Sequence, residues 1–318
     1  MFFKIIQQLK QRGVLGINQR NLDFVLGYNH KSRMRLADDK LLTKQLALTA
    51  NIPVPAQYGV IEAIANIGSF EKIVQPYNDF VIKPIRGSGG KGILIIKEKI
   101  KHKFRLSNDK IMTLDQIEEH ISKILSGVFS LGGYADSTLI EYRVKSNPVF
   151  DSICYKGVPD TRIVVWRGYP IMAMLRLPTI ESNGKANLHQ GAIGVGIDLA
   201  HGITLDGIAA NEIITEHPDT LQPLKGIQIP FWQEMLLIAA NCFELTQLGY
   251  LGVDLVLDAE RGPLLLELNA RPGLNIQLAN QQGFLQRAQQ LMQHINVNQE
   301  TVNAEQRVAL SQTLFKAG

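Results

Sequence analysis

Two acids and an amide late in the chain are spaced for cation binding. Gly252-Val-Asp254-Leu-Val-Leu-Asp258 and Pro263-Leu-Leu-Leu-Glu267-Leu-Asn269 flank a four-residue turn, 259–262, and read as a β-hairpin. Pairing 258 with 263 sets Asp254 opposite Glu267, and Asn269 shares their face because strand side chains alternate with period two. Opposed carboxylates repel unless a cation lies between them. An all-oxygen donor set suits Mg²⁺, which fills its remaining positions with phosphate and water, and Mn²⁺ takes similar ligands. The plainer alternative is an exposed strand face with incidental acids. The leucines on either side favour a hairpin whose other face is buried.

A second group lies in the first half. Val81-Ile-Lys83-Pro ends an apolar run with a lysine, and Gly87-Ser88-Gly89-Gly90-Lys91-Gly92 follows. The glycines satisfy G-x-G-x-x-G, but the next residues, Ile93-Leu-Ile-Ile96, read as a strand and not as the helix a dinucleotide fold requires. Lys91 is not followed by Ser or Thr, so the run is no Walker loop. A glycine hairpin remains, whose bare N–H groups suit phosphates within reach of Lys83. A flexible surface turn is the alternative for the loop alone.

The elements that would hold these residues are short and irregularly interleaved. A helix opens the chain and is expected to dock on the body, and a polar linker to about residue 37 follows, carrying Lys31, Arg33 and Arg35. A helix over 38–49, capped by Asp38 or Asp39, ends before the extended Ile52-Pro-Val-Pro55. Further helices are expected over 115–125, 231–248 and 284–294. Strands are expected over 80–83, 93–97, 137–144, 162–166 and 171–175, with a glycine-rich stretch over 184–207. This is an α+β plan in two lobes.

Composition agrees with a folded, non-membrane-spanning chain. Of 318 residues, 45% are hydrophobic and 19% charged, which argues against disorder. The apolar runs fall far short of the ~18 residues of a membrane span. Cys154 and Cys242 have no metal-ligand spacing and fit a reducing cytoplasm. Residues 1–110 hold 19 Lys and Arg against 8 Asp and Glu, and the remainder holds 14 against 21. A basic half beside an acidic half suits phosphate-holding lysines facing metal-holding carboxylates. Nucleic acid is the rival reading, disfavoured because the basic residues lack interleaved aromatics.

Lysine, glycine hairpin and a late Asp…Glu-x-Asn hairpin, in that order, resemble the ATP-grasp superfamily. Gly13-Val-Leu-Gly-Ile-Asn18-Gln-Arg20-Asn21, Asp38-Asp39-Lys40 and Ile52-Pro-Val-Pro55 look like the alpha-L-glutamate ligase-like proteins, related to the ribosomal-protein-modifying glutamate ligases. The resemblance runs from about residue 13 to residue 290 and implies an ATP-grasp fold, two α+β lobes clasping the nucleotide. The lobes would span 38–143 and 144–318, with residues 1–37 a helix and linker in place of the customary N-terminal domain.

The resemblance also implies roles. Lys40, Lys83, Gly87, Ser88, Gly89, Gly90, Lys91 and Gly92 would meet the ATP phosphates. Glu141, Tyr142 and Val144 would line the adenine, and Asp160 would sit near the nucleotide, with Asp151 a competitor for the ribose side. Lys185 and Asn187, in Lys185-Ala-Asn187-Leu-His189, would reach phosphates, with Lys185 in place of the usual arginine. Asp254, Glu267 and Asn269 would hold Mg²⁺, and Arg162, Arg176 and Arg271 would be catalytic. The implied activity is an ATP-dependent carboxylate–amine ligase passing through an acyl phosphate, joining small-molecule or peptide substrates, with glutamate or a similar amino acid as the group attached. Phosphoryl transfer to a sugar or alcohol, or a non-catalytic nucleotide- or nucleic-acid-binding module, are the alternatives.

Overall fold

The computed structural model describes residues 2–87, 89–295 and 302–316. Ser88, expected at the phosphates, lies outside the described residues. The chain forms two compact units, residues 39–45 with 54–144, and residues 1–38 with 46–53 and 145–318. In chain order the first helices are α1 (Phe2–Gln11), α2 (Ile17–Gln19) running into a π-helical stretch (Arg20–Leu26), α3 (Lys31–Asp38) and α4 (Lys40–Thr49). Asp39 caps α4, its carboxylate accepting from the Leu41 and Leu42 N–H groups, both at 3.1 Å.

The smaller unit is built on an antiparallel sheet. Its strands are β1 (Gln57–Ile61), β2 (Phe80–Pro84), β3 (Leu94–Ile100), β4 (Lys103–Leu106), β5 (Ile111–Thr113) and β6 (Thr138–Glu141), in the order β1-β6-β2-β3-β4-β5. Helices α5 (Phe70–Val74) and α6 (Leu114–Leu125) supply further apolar side chains. Helix α6 starts with a Thr113–Gln116 capping box. Its Ile117, Ile121 and Ile124, at helical spacing, join Phe70, Phe80, Ile82, Ile96, Phe104 and Ile140 in one buried cluster.

The larger unit carries a second antiparallel sheet in the order β11-β10-β9-β8-β7-β12-β13. Its strands are β7 (Asp160–Trp166), β8 (Tyr169–Leu177), β9 (Ile193–Asp198), β10 (Ile203–Ala209), β11 (Glu212–Ile214), β12 (Tyr250–Asp258) and β13 (Gly262–Asn269). Helix α7 (Trp232–Thr246) packs on this sheet, burying Met235, Leu236, Ala239 and Cys242. Helices α8 (Ile276–Ala279), α9 (Phe284–His294) and α10 (Ala304–Leu314) complete it.

Several expectations are corrected. The supposed linker to residue 37 is mostly helical, because Leu15, Phe24, Val25 and Met34 bury themselves in the larger unit. The glycine-rich stretch contains β9 and β10; Gly194 and Gly196 stand inside β9 where a side chain would collide with Met174 and the Ala279 carbonyl. Of the first helix, the side chains of residues 7–11 are exposed, and those of residues 2–6, on which its expected docking depends, lie outside the described side chains. The tail holds α10 in addition to α9. Cys242 is buried as expected, whereas Cys154 is only half-buried.

Candidate functional site

In the smaller unit the register of β2 against β6 sets Val81 opposite Glu141, so Lys83, two residues on, shares the Glu141 face. Both Lys83 and Lys44 form ion pairs with the Glu141 carboxylate, one on each oxygen, and all three side chains are buried. Lys44 also donates to the Pro55 carbonyl at 2.6 Å. Burial lowers the Lys44 pKa, opposed by Glu141 and assisted by the like charge of Lys83. Burial alone would raise the Glu141 pKa, but the two ammonium groups hold it below the usual carboxylate range. Sequence reasoning missed Lys44. Its signal was present in the i, i+4 spacing from Lys40 on a helix otherwise carrying leucines.

The glycine loop joins β2 to β3, which pair as an antiparallel hairpin. Gly89, Gly90 and Gly92 hold φ of 63°, 72° and 76°, where a side chain is strained. At Gly92 an added Cβ would also lie 2.6 Å from the Phe129 ring. Lys40 donates to the Gly87 carbonyl at 2.7 Å, and His120 Nε2–H donates to that of Gly92 at 2.8 Å. Asp136 anchors the base, accepting from the Arg86 N–H at 2.9 Å, the Ser130 hydroxyl at 2.8 Å and the Ser137 N–H at 2.8 Å. Lys91 at the tip is exposed, Tyr142 is buried and Val144 half-buried.

The larger unit gathers its candidates in a row across four strands. Asp254 stands opposite Arg162 on one side and Glu267 on the other, and Asp160 stands opposite Arg176. Arg162 holds Asp254 at two points, Nε to Oδ1 at 2.7 Å and Nη2 to Oδ2 at 2.6 Å. Arg176 Nη2 bridges Asp254 and Asp160, 2.6 Å from each, and its Nε pairs with Asp160. Asp254 is fully buried; burial would raise its pKa, but the two arginines hold it far below the usual range. Asp160 shares one arginine with Asp254, and burial together with the Asp254 charge outweighs that pairing and pushes it up to about 7.

The hairpin turn differs from expectation in an instructive way. Asp258 pairs with Gly262, leaving a three-residue turn, and Leu266 is a bulge that restores the expected register from Asp254–Glu267 onward. Asp258 closes the turn by accepting from the Glu260 and Arg261 N–H groups, both at 2.9 Å. Asn269 Oδ1 accepts from the Arg271 N–H at 2.9 Å. The Arg271 side chain is half exposed, 3.5 Å from Asp38. Asn187 caps a short turn through the His189 N–H at 3.0 Å, and Lys185 nearby is exposed. Asp151 is exposed.

Among the described residues, no three His, Cys, Asp or Glu side chains gather as a metal centre of their own. The row sets three carboxylates, Asp160, Asp254 and Glu267, against two guanidiniums, and the donor type at Glu267 and Asn269 is the all-oxygen kind that Mg²⁺ takes, whereas both oxygens of Asp254 are already held by Arg162 and Arg176. Among the described residues no helix is long and apolar enough to cross a membrane.

Two antiparallel sheets with this order of lysine, glycine hairpin and Asp…Glu-x-Asn hairpin define an ATP-grasp fold. The chain belongs to the sugar-transfer associated ATP-grasp family, whose model matches residues 19–293. It is similar to the solved ATP-grasp ligase PsnB in complex with a minimal precursor, at 16% identity and TM-score 0.40, over 77% of this chain and 56% of that one. It is also similar to a Chryseobacterium gregarium RiPP-associated ATP-grasp ligase, at 14% identity and TM-score 0.48, over 86% of this chain and 65% of that one. A third is the D-alanine–D-alanine ligase of Bacillus anthracis, at 11% identity and TM-score 0.43, over 88% and 66% of the two chains. The chain thus spans little more than half the length of PsnB. No curated protein matches it.

Proposed function

We propose that the protein is an ATP-dependent carboxylate–amine ligase of the glutamate-ligase-like kind, acting through an acyl phosphate. The observation that carries this reading is the row Arg176–Asp160–Arg162–Asp254–Glu267, which concentrates acids and guanidiniums on one sheet face. A carboxylate does not react with an amine at neutral pH, so the γ-phosphoryl of ATP first converts it to an acyl phosphate, and the amine then displaces phosphate. The residues' task is positioning and charge neutralisation. Lys83, Lys40 and the backbone of the glycine loop receive the phosphates, and Asp254, Glu267 and Asn269 hold Mg²⁺, which offsets phosphate charge when bound.

Glu141 acts in this reading through its two lysines, holding Lys83 in place by an ion pair. Arg162 and Arg176 set the charge of Asp254, and the half-exposed Arg271 is the arginine best able to meet a substrate anion. Asp160, Lys185 and Asn187 serve the nucleotide, and unpaired Cys154 and Cys242 suit a cytoplasmic setting.

The test is a phosphate-release screen with ATP and Mg²⁺ across amino acids, peptides and sugar acids, with mass spectrometry of products. ADP, phosphate and an amide, all lost in Glu267→Gln, support the ligase. A phosphorylated product without an amide would establish phosphoryl transfer in its place. Salt-sensitive RNA binding without turnover on any substrate would overturn both.

A further inference from the structure

The stretch from Leu9 to Arg35, in the larger unit, has a surface that the reaction does not use. In the π-helical run, bonding from i to i+5 stacks residues four and five apart on one face. Arg20, Phe24 and Val25, related by such steps, form the buried face. Leu22 and Leu26, four apart in the same run, form the opposite ridge, exposed at 63 and 68%, and Ile17 in α2, which leads into the run, is exposed at 61%. Three large aliphatic side chains on the solvent side of one helix invert the ordinary amphipathic pattern. Leu9, at the end of α1, is 45% exposed as well.

The chain on either side of this ridge carries charge of one sign. Lys10 and Arg12 precede it and Lys31, Arg33 and Arg35 follow it, all exposed, and Asp23 is the single acid in residues 1–37. A second copy of this chain would bring like charges together. An apolar ridge flanked by cations complements an anionic bilayer surface, where aliphatic side chains enter the acyl boundary and lysines and arginines meet headgroups.

We infer that residues 9–35 form a peripheral docking surface for an anionic membrane, on which the protein lies without spanning. The experiment is vesicle flotation of the full chain. Vesicles of phosphatidylcholine alone are compared with vesicles carrying about one third phosphatidylglycerol, at about 0.1 M salt and at several-fold higher salt. Flotation with the anionic vesicles, weakened by salt, is expected. The double variant Leu22→Asp with Leu26→Asp and the triple variant Lys31→Glu, Arg33→Glu, Arg35→Glu should each weaken it by about tenfold or more while leaving the melting temperature unchanged. No flotation with anionic vesicles would overturn the inference, as would flotation unaffected by both variants. So would sedimentation showing that the wild-type chain is a dimer and the Leu22, Leu26 variant a monomer, since the ridge would then be a protein interface.

Discussion

Arg162 and Asp254 face each other on neighbouring strands and join at two points, 2.7 and 2.6 Å, with the carboxylate fully buried. Removing one partner of such a pair leaves the other buried and unpaired. Asp254→Asn should therefore destabilise the protein by about 3–5 kcal/mol in urea unfolding. Glu267, at the outer end of the row, should behave differently: Glu267→Gln keeps the urea midpoint and loses ATP turnover. Equal destabilisation by the two changes would show that Glu267 is held in the buried ion-pair network as tightly as Asp254 is.

Glu141→Gln should also be costly, because it leaves Lys44 and Lys83 buried side by side without their shared anion. A loss of about 3–5 kcal/mol is expected. Lys44→Met leaves a one-to-one pair and should cost less, which denaturant titration of the two variants measures directly.

Gly92→Ala combines a φ of 76° with a Cβ 2.6 Å from Phe129, so the loop must shift. The Michaelis constant for ATP should rise about tenfold, equivalent to roughly 1–2 kcal/mol of backbone strain. Adding Phe129→Ala relieves the collision but not the φ, so recovery should be partial.

His120 links the same loop to pH. Burial lowers its pKa from the ordinary 6.5, outweighing the Gly92 carbonyl that favours the charged form. A lowered folded value gives stability that is present above pH 6.5 and lost as pH falls through that value. Thermal melts should show the protein weakening on acidification below about pH 6.5. His120→Gln, which keeps an N–H donor, should flatten that part of the profile.

Much of this arrangement was legible in the sequence because it depends on period-two alternation. The facing of Asp254 and Glu267 followed from the hairpin pattern, although the turn is one residue shorter than expected and the Leu266 bulge compensates. Lys83 and the glycine hairpin were legible for the same reason. The arginines' capture of Asp254 was not, since Arg162 and Arg176 lie 92 and 78 positions away and only the order of β8, β7 and β12 brings them there. Strands β9 and β10 were hidden because glycine normally argues against strand, and the reason for Gly196 is a carbonyl from α8. Residues 20–26 escaped as a helix because their buried positions, Arg20, Phe24 and Val25, follow the π and not the α period.

Phe24 packs edge-on against Trp166 and Phe284 and lies 5.5 Å from the Tyr250 ring, all within the larger unit. That unit is assembled from three separate stretches of chain, 1–38, 46–53 and 145–318. No single cut yields it whole. A gene fragment beginning at residue 145 would discard Phe24 from the aromatic cluster and Pro53, whose carbonyl accepts from the Leu265 N–H at 2.8 Å. Recombination can therefore transplant this architecture only as an uninterrupted reading frame, and grafting either unit onto another scaffold would require splicing non-adjacent segments.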